Sequence, residues 1–240
     1  MTPELGKSLI NMAAAADVDQ MRTLLATGEE SPSEETIQSL LTTAAGGSHL
    51  DVVNLLLTQY PTVSPNEEVV RAAVYTGSIP IFKALLARDS SLINMQFDRR
   101  GTPLIVACMS KQTVEYLRFL LEAGADPNQD PDAASFPLAL VAAFYTDPAA
   151  IDLLLEHGAR LERSGALSAA SRRGNEPMIY YLLERGIRLD TDAPTMGTDA
   201  LPLHVAVKSG HAGAARILLQ HGADPDTTDA SGATAFEVAK

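Results

Sequence analysis

Apolar positions along this chain recur in pulses, each closing on a Leu-Leu pair and a turn. The segments are RTLLATG, NLLLTQY, KALLARD, RFLLEAG, DLLLEHG, YYLLERG and RILLQHG, with the pairs ending at Leu25, Leu57, Leu86, Leu121, Leu155, Leu183 and Leu219. Their mean spacing of roughly 32 residues is a period of stacked supersecondary units. Such units share one continuous core and touch chiefly their neighbours, unlike a globule built around a single cleft.

The clearest unit runs from Leu201 to Asp226, LPLHVAVKSGHAGAARILLQHGADPD. Pro202 opens a helix, since its missing N–H falls among donors that are unpaired there anyway. Leu203, Val205, Ala206 and Val207 give a short first helix its apolar side, and Gly210 suits the left-handed turn that ends it. Ala215, Ile217, Leu218 and Leu219 mark a second helix at helical spacing. Gly222 stops that helix, and Ala223-Asp224-Pro225-Asp226 leads away as an extended loop.

Helix, turn, helix and hairpin loop in this order resemble the ankyrin repeat, whose signature includes TPLHxA, a Gly-His between the helices and LLxxGADxN. Gly101-Thr102-Pro103-Leu104 and Gly124-Ala125-Asp126-Pro127-Asn128 carry the two ends of that signature in the fourth repeat. The resemblance runs from about Leu9 to Lys240. It implies an all-α ankyrin-repeat solenoid, helix-turn-helix repeats joined by short hairpin loops. The expected layout is a single domain over 1–240, with about seven repeats and a C-terminal half repeat. Repeats are irregular over 1–98 and more regular over 99–240. Leu86, Leu121 and Leu155 are expected to be buried.

Several segments depart from the pattern. Glu29-Glu30-Ser31-Pro32-Ser33 and Pro61-Thr62-Val63-Ser64-Pro65 stand where hairpin fingers belong, so irregular loops are expected there. The sixth repeat starts directly at Gly165, after a short finger, while Asp190 to Asp199 forms an enlarged finger before the seventh. Phe236 and Val238 lie in the first helix of an eighth repeat and are expected to pack on the seventh.

Composition narrows the function classes. Hydrophobic residues make up 46% of the chain with 5% aromatics and no Trp, so the core is aliphatic and suits closely stacked helices. A net charge of −12 repels phosphate backbones and anionic membrane surfaces, so neither nucleic acid nor membrane is an expected partner. A lone cysteine, Cys108, and an N-terminus without a secretory layout fit an intracellular protein, cytoplasmic or nuclear.

No catalytic constellation stands out. His49 and His211 fall in inter-helix turns, and His204 at the TPLH position, where the resemblance implies a hydrogen bond to the neighbouring hairpin. His157 and His221 sit at second-helix ends, where they complement the helix dipole. Acidic pairs such as Glu34-Glu35 and Glu67-Glu68 mark helix starts. Metal-ligand spacings are missing, and no cofactor is implied.

In ankyrin proteins, partners are commonly held by the fingers and the exposed ends of first helices. Counting back from each Leu-Leu pair places Tyr75, Met109, Phe144, Tyr145, Arg172, Arg173 and Lys208 at those ends, on the concave side. Phe144 and Tyr145 carry an uncertainty of one residue, because their repeat has an extra one. Aromatic and apolar positions in the middle repeats give way to three cations in the sixth and seventh, which either form a ligand patch or are merely solvated or neutralised by Asp190, Asp192 and Asp199 of the enlarged finger. The leading reading is a non-catalytic intracellular binding or scaffold module for a protein or peptide, with a monomer as the expected state. The alternative is an accessory or catalytic protein that holds a small anionic molecule in the same groove. A polar pocket near Tyr145 and Arg172 would favour that alternative. A third reading is self-assembly through the incomplete C-terminal repeat.

Overall fold

A computed structural model describes residues 3–27, 31–129, 136–189, 201–229 and 231–239. The chain forms two compact units, Met1–Asp98 and Arg99–Lys240. The first holds α1 (Pro3–Ala15), α2 (Val18–Thr27), α3 (Glu34–Gly46), α4 (Leu50–Gln59), α5 (Glu67–Thr76) and α6 (Ile79–Arg88). First helices pack on first helices, α1 on α3 and α3 on α5, and second helices do likewise. Ser33 accepts from the Thr36 N–H (3.3 Å) and Asn66 from that of Val69 (3.1 Å), so both helix starts are capped. The expected acidic pairs, Glu34-Glu35 and Glu67-Glu68, occupy the first turns that follow.

The second unit repeats the plan with α7 (Pro103–Met109), α8 (Val114–Glu122), α9 (Pro137–Phe144), α10 (Ala149–Glu156), α11 (Ala166–Arg173), α12 (Glu176–Glu184), α13 (Pro202–Lys208) and α14 (Ala212–Gln220). Here α7, α9, α11 and α13 lie side by side in chain order. Proline starts α7, α9 and α13. Fingers make little strand structure among the described residues, an antiparallel bridge joining Thr228 to Thr234. Seven helix pairs among the described residues meet the all-α repeat expectation.

In six of the seven inter-helix turns, all but that between α9 and α10, one residue takes a left-handed backbone. It is Ala16, Ser48 or Gly77 in the first unit, and Lys111, Gly174 or Gly210 in the second. The residue opening the second helix then reaches back one repeat. His49 Nε2 meets the Ala14 carbonyl at 3.0 Å, and His211 Nε2 meets that of Arg172 at 3.1 Å. Asn175 Nδ2 donates to the carbonyls of Ala142 (3.0 Å) and Tyr145 (2.8 Å). His204, as the resemblance implied, bonds a neighbouring finger, at the Ala233 carbonyl (3.0 Å).

The leucine pairs are not equivalent. Leu56, Leu85, Leu120, Leu154, Leu182 and Leu218 are wholly buried, whereas of the residues that follow them only Leu121 is buried. Leu86 and Leu155, expected in the core, are half-buried. A step of one residue rotates a side chain by about 100°, which carries the second leucine to the flank of its helix.

A second correction concerns the terminal segment. Glu237–Ala239 is a 3-10 turn, not an α-helix, and Phe236 is 73% exposed. Thr234 and Glu237 cap each other, the Glu237 carboxylate accepting the Thr234 N–H (2.8 Å) and the Thr234 hydroxyl accepting the Glu237 N–H (3.3 Å). Ala235, not Phe236, is the buried side chain. The enlarged finger Asp190 to Asp199 lies outside the described residues, as do Glu29 and Glu30.

Candidate functional site

In the first unit, Tyr75 sits on the last turn of α5 and is 48% exposed. The other candidates belong to the second unit, where the first helices end in a row. Met109 closes α7 and is 53% exposed, Phe144 closes α9, Arg172 and Arg173 close α11, and Lys208 closes α13. Both arginines and Lys208 are exposed, and Phe144 is half-buried.

Two of these side chains meet directly. The Arg173 guanidinium lies over the Phe144 ring, its Cζ 4.8 Å from the centroid. A third participant is Lys111, which counting back from the leucine pairs missed because it stands inside the turn and not before it. Its ammonium is 5.8 Å from the same centroid. Both distances are within the range of cation–π attraction. Arg172 adds its charge beside Arg173 while its carbonyl takes the His211 bond. Among the described residues, Lys111, Arg172, Arg173 and Lys208 make no ion pair, and Lys208 takes no part in the contacts with the Phe144 ring. The nearest acid in sequence to Phe144, Asp147, caps the Ala149 N–H at 2.9 Å.

Tyr145 plays a different part. Its hydroxyl donates to the Gln112 carbonyl at 2.8 Å, the inter-repeat bond that histidine makes elsewhere, while its own carbonyl accepts from Asn175. Burial, reinforced by the Cys108 thiol, raises the Tyr145 phenol well above its ordinary value. Burial does the same to Cys108, which is wholly enclosed and so stays a neutral thiol. No group of metal-ligating side chains assembles among the described residues.

Two clefts open elsewhere in this unit. One, of about 610 Å³, is walled by Pro127, Asn128, Phe136, Leu161, Arg163 and Ser164 among others. A second, of about 550 Å³, lies against Leu183, Ile187, Pro202, His204 and His221. Neither draws a wall from Tyr145 or Arg172.

Comparison with known proteins agrees with the repeat geometry. The family model described as "Ankyrin repeats (3 copies)" matches residues 41–131 and 138–229. The mouse 2-5A-dependent ribonuclease is 35% identical over 79 residues, covering 33% of this chain and 10% of that protein. Ankyrin repeat protein nuc-2 of Neurospora crassa is 31% identical over 160 residues, covering 64% of this chain and 14% of that one. The chain therefore spans only a small part of the length of these relatives. Among solved structures, the human ASB11 ankyrin repeat domain aligns with 100% of this chain and 92% of its own, with a TM-score of 0.55 and 20% identity. No helix among the described residues is long and apolar enough to cross a membrane.

Proposed function

The chain belongs to the ankyrin-repeat family, and on that premise we propose that it is a non-catalytic, intracellular binding module for a protein or peptide partner. Ankyrin repeats are in general protein–protein interaction modules. The principal contact surface is the row of first-helix ends in the second unit, read as its concave side. Met109 and Phe144 supply apolar area there, Arg172, Arg173 and Lys208 supply charge, and Tyr145 holds the floor. Tyr75 is a separate contact point on the first unit.

The observation that carries this reading is the Arg173–Phe144 stack beside exposed Arg172, with no described carboxylate neutralising either guanidinium. An aromatic ring desolvates a contact while guanidinium groups orient a partner's acidic group. The small-anion alternative gains no support from the clefts, which take no wall from these cations.

Capture from cell extract with wild-type protein, followed by titration of the recovered partner against Arg172→Ala/Arg173→Ala, tests the assignment. Loss of charge-assisted contacts should weaken binding by about 1–3 kcal/mol. Thermal stability should stay within about 0.5 kcal/mol of wild type, as both side chains are exposed. Undiminished affinity in the double variant removes the arginines from the site.

A further inference from the structure

Lys111 is the least expected residue of the cationic cluster. Its backbone φ is 56°, in the left-handed region that glycine enters freely and a lysine does not. The same turn position is glycine in two other repeats of this unit, Gly174 and Gly210. Glycine there would relieve the backbone, and the lysine that stands instead sends its ammonium toward Phe144. An unfavourable backbone retained together with a placed charge points from conformation to function.

Phe144 thus has a cation on each of two neighbouring turns, Lys111 following α7 and Arg173 ending α11. The two charge centres are no more than about 11 Å apart, given their distances to the shared ring. An extended chain advances about 3.3 Å per residue, so carboxylates two or three residues apart span about 7–10 Å. Carboxylates at that spacing fit within this limit and are opposite in charge to the cluster, on a chain whose net charge of −12 otherwise repels anions.

We propose that the Lys111–Phe144–Arg173 cluster is a docking site for an acidic segment of a partner protein, an extended stretch with carboxylates two residues apart. Side chains two residues apart lie on the same face of an extended chain, so one carboxylate reaches each cation while the residue between them faces away from Phe144. This rests on the protein-binding reading above and names the partner's chemistry.

The test uses the full chain and a fluorescently labelled, otherwise uncharged peptide carrying a central Glu-Leu-Glu, with a Gln-Leu-Gln twin and pyrophosphate as the small-anion probe. Anisotropy should show the glutamate peptide binding at least about tenfold tighter than its twin, and Lys111→Gly or Arg173→Ala each weakening it about tenfold. Lys111→Gly should melt at the same or a higher temperature than wild type, a combination that a purely structural lysine does not give. Arg216→Ala, an exposed cation on α14, should leave binding unchanged. Equal affinity for the twin, no binding of either peptide, or insensitivity to both variants overturns the proposal. Pyrophosphate that binds with the same dependence and displaces the peptide overturns it in favour of a small-anion site. Should a captured protein partner bind Lys111→Gly as well as wild type, the module stands and the acidic site falls. Should no protein partner be captured at all, the broader reading falls, whatever the peptides do.

Discussion

Gly174 carries two demands at once. Its φ of +64° is strained for any other residue, and a Cβ built on it would lie 2.6 Å from the His211 ring, too close for contact. That ring is the one that bonds the Arg172 carbonyl. Gly174→Ala should therefore destabilise the protein by at least about 1–2 kcal/mol in a denaturant titration. Tyr181 offers a second residue-level test. Burial and a hydrogen bond to the Asp152 carboxylate (2.5 Å) push its phenol from 10.0 up to about 12. A proton held more tightly in the folded state stabilises it below the unfolded pKa, and the benefit is lost as pH rises through the folded one. Tyr181→Phe should thus be less stable than wild type at pH 8, with the gap closing between about pH 10 and 12 when melting is followed against pH.

Within one helix, adjacent leucines of the same pair should respond differently to truncation. Leu154→Ala removes a fully buried side chain and should cost about 2–5 kcal/mol, whereas half-buried Leu155→Ala should cost clearly less; paired urea titrations measure the difference. The pairs were legible in the sequence because seven copies at one period outweigh any local ambiguity. Which member of each pair faces inward was not, since that depends on the rotation of α10 against its neighbours. The site divides in the same way. Counting positions along first helices placed Met109, Phe144 and the arginines at the helix ends where they lie. Lys111 lies past the end of α7, and only its side-chain length and the turn geometry bring it to Phe144. Tyr145 was correctly placed at its helix end, but its hydroxyl bond to Gln112 links residues 33 positions apart and leaves no local signal.

At the scale of the molecule, the stack within each unit, in which each repeat rests on its neighbours, confines damage to the place where it occurs. The last segment illustrates this. With Phe236 73% exposed and the 3-10 turn capped by its own Thr234 and Glu237, residues from Phe236 onward carry little of the stack's apolar burial. Deleting Phe236 to Lys240 should shift stability by no more than about 0.5 kcal/mol in calorimetry and leave the light-scattering mass at that of wild type. A large loss, or association of the shortened chain, would restore the cap expected from sequence.

The side chains that reach back from one turn to the previous one, those of His49, Tyr145, Asn175 and His211, all end on carbonyl oxygens near the close of a first helix. Acceptors that would otherwise be open at those helix ends are already taken by the protein itself. A visiting chain finds few free main-chain oxygens there to align with, so it has little means of docking as an added strand. On the proposed contact surface, recognition then falls chiefly to the tip side chains. Residues such as Met109, Phe144 and Arg173 can be exchanged for others without disturbing the bonds beneath them, which makes partner choice separable from the stability of the scaffold.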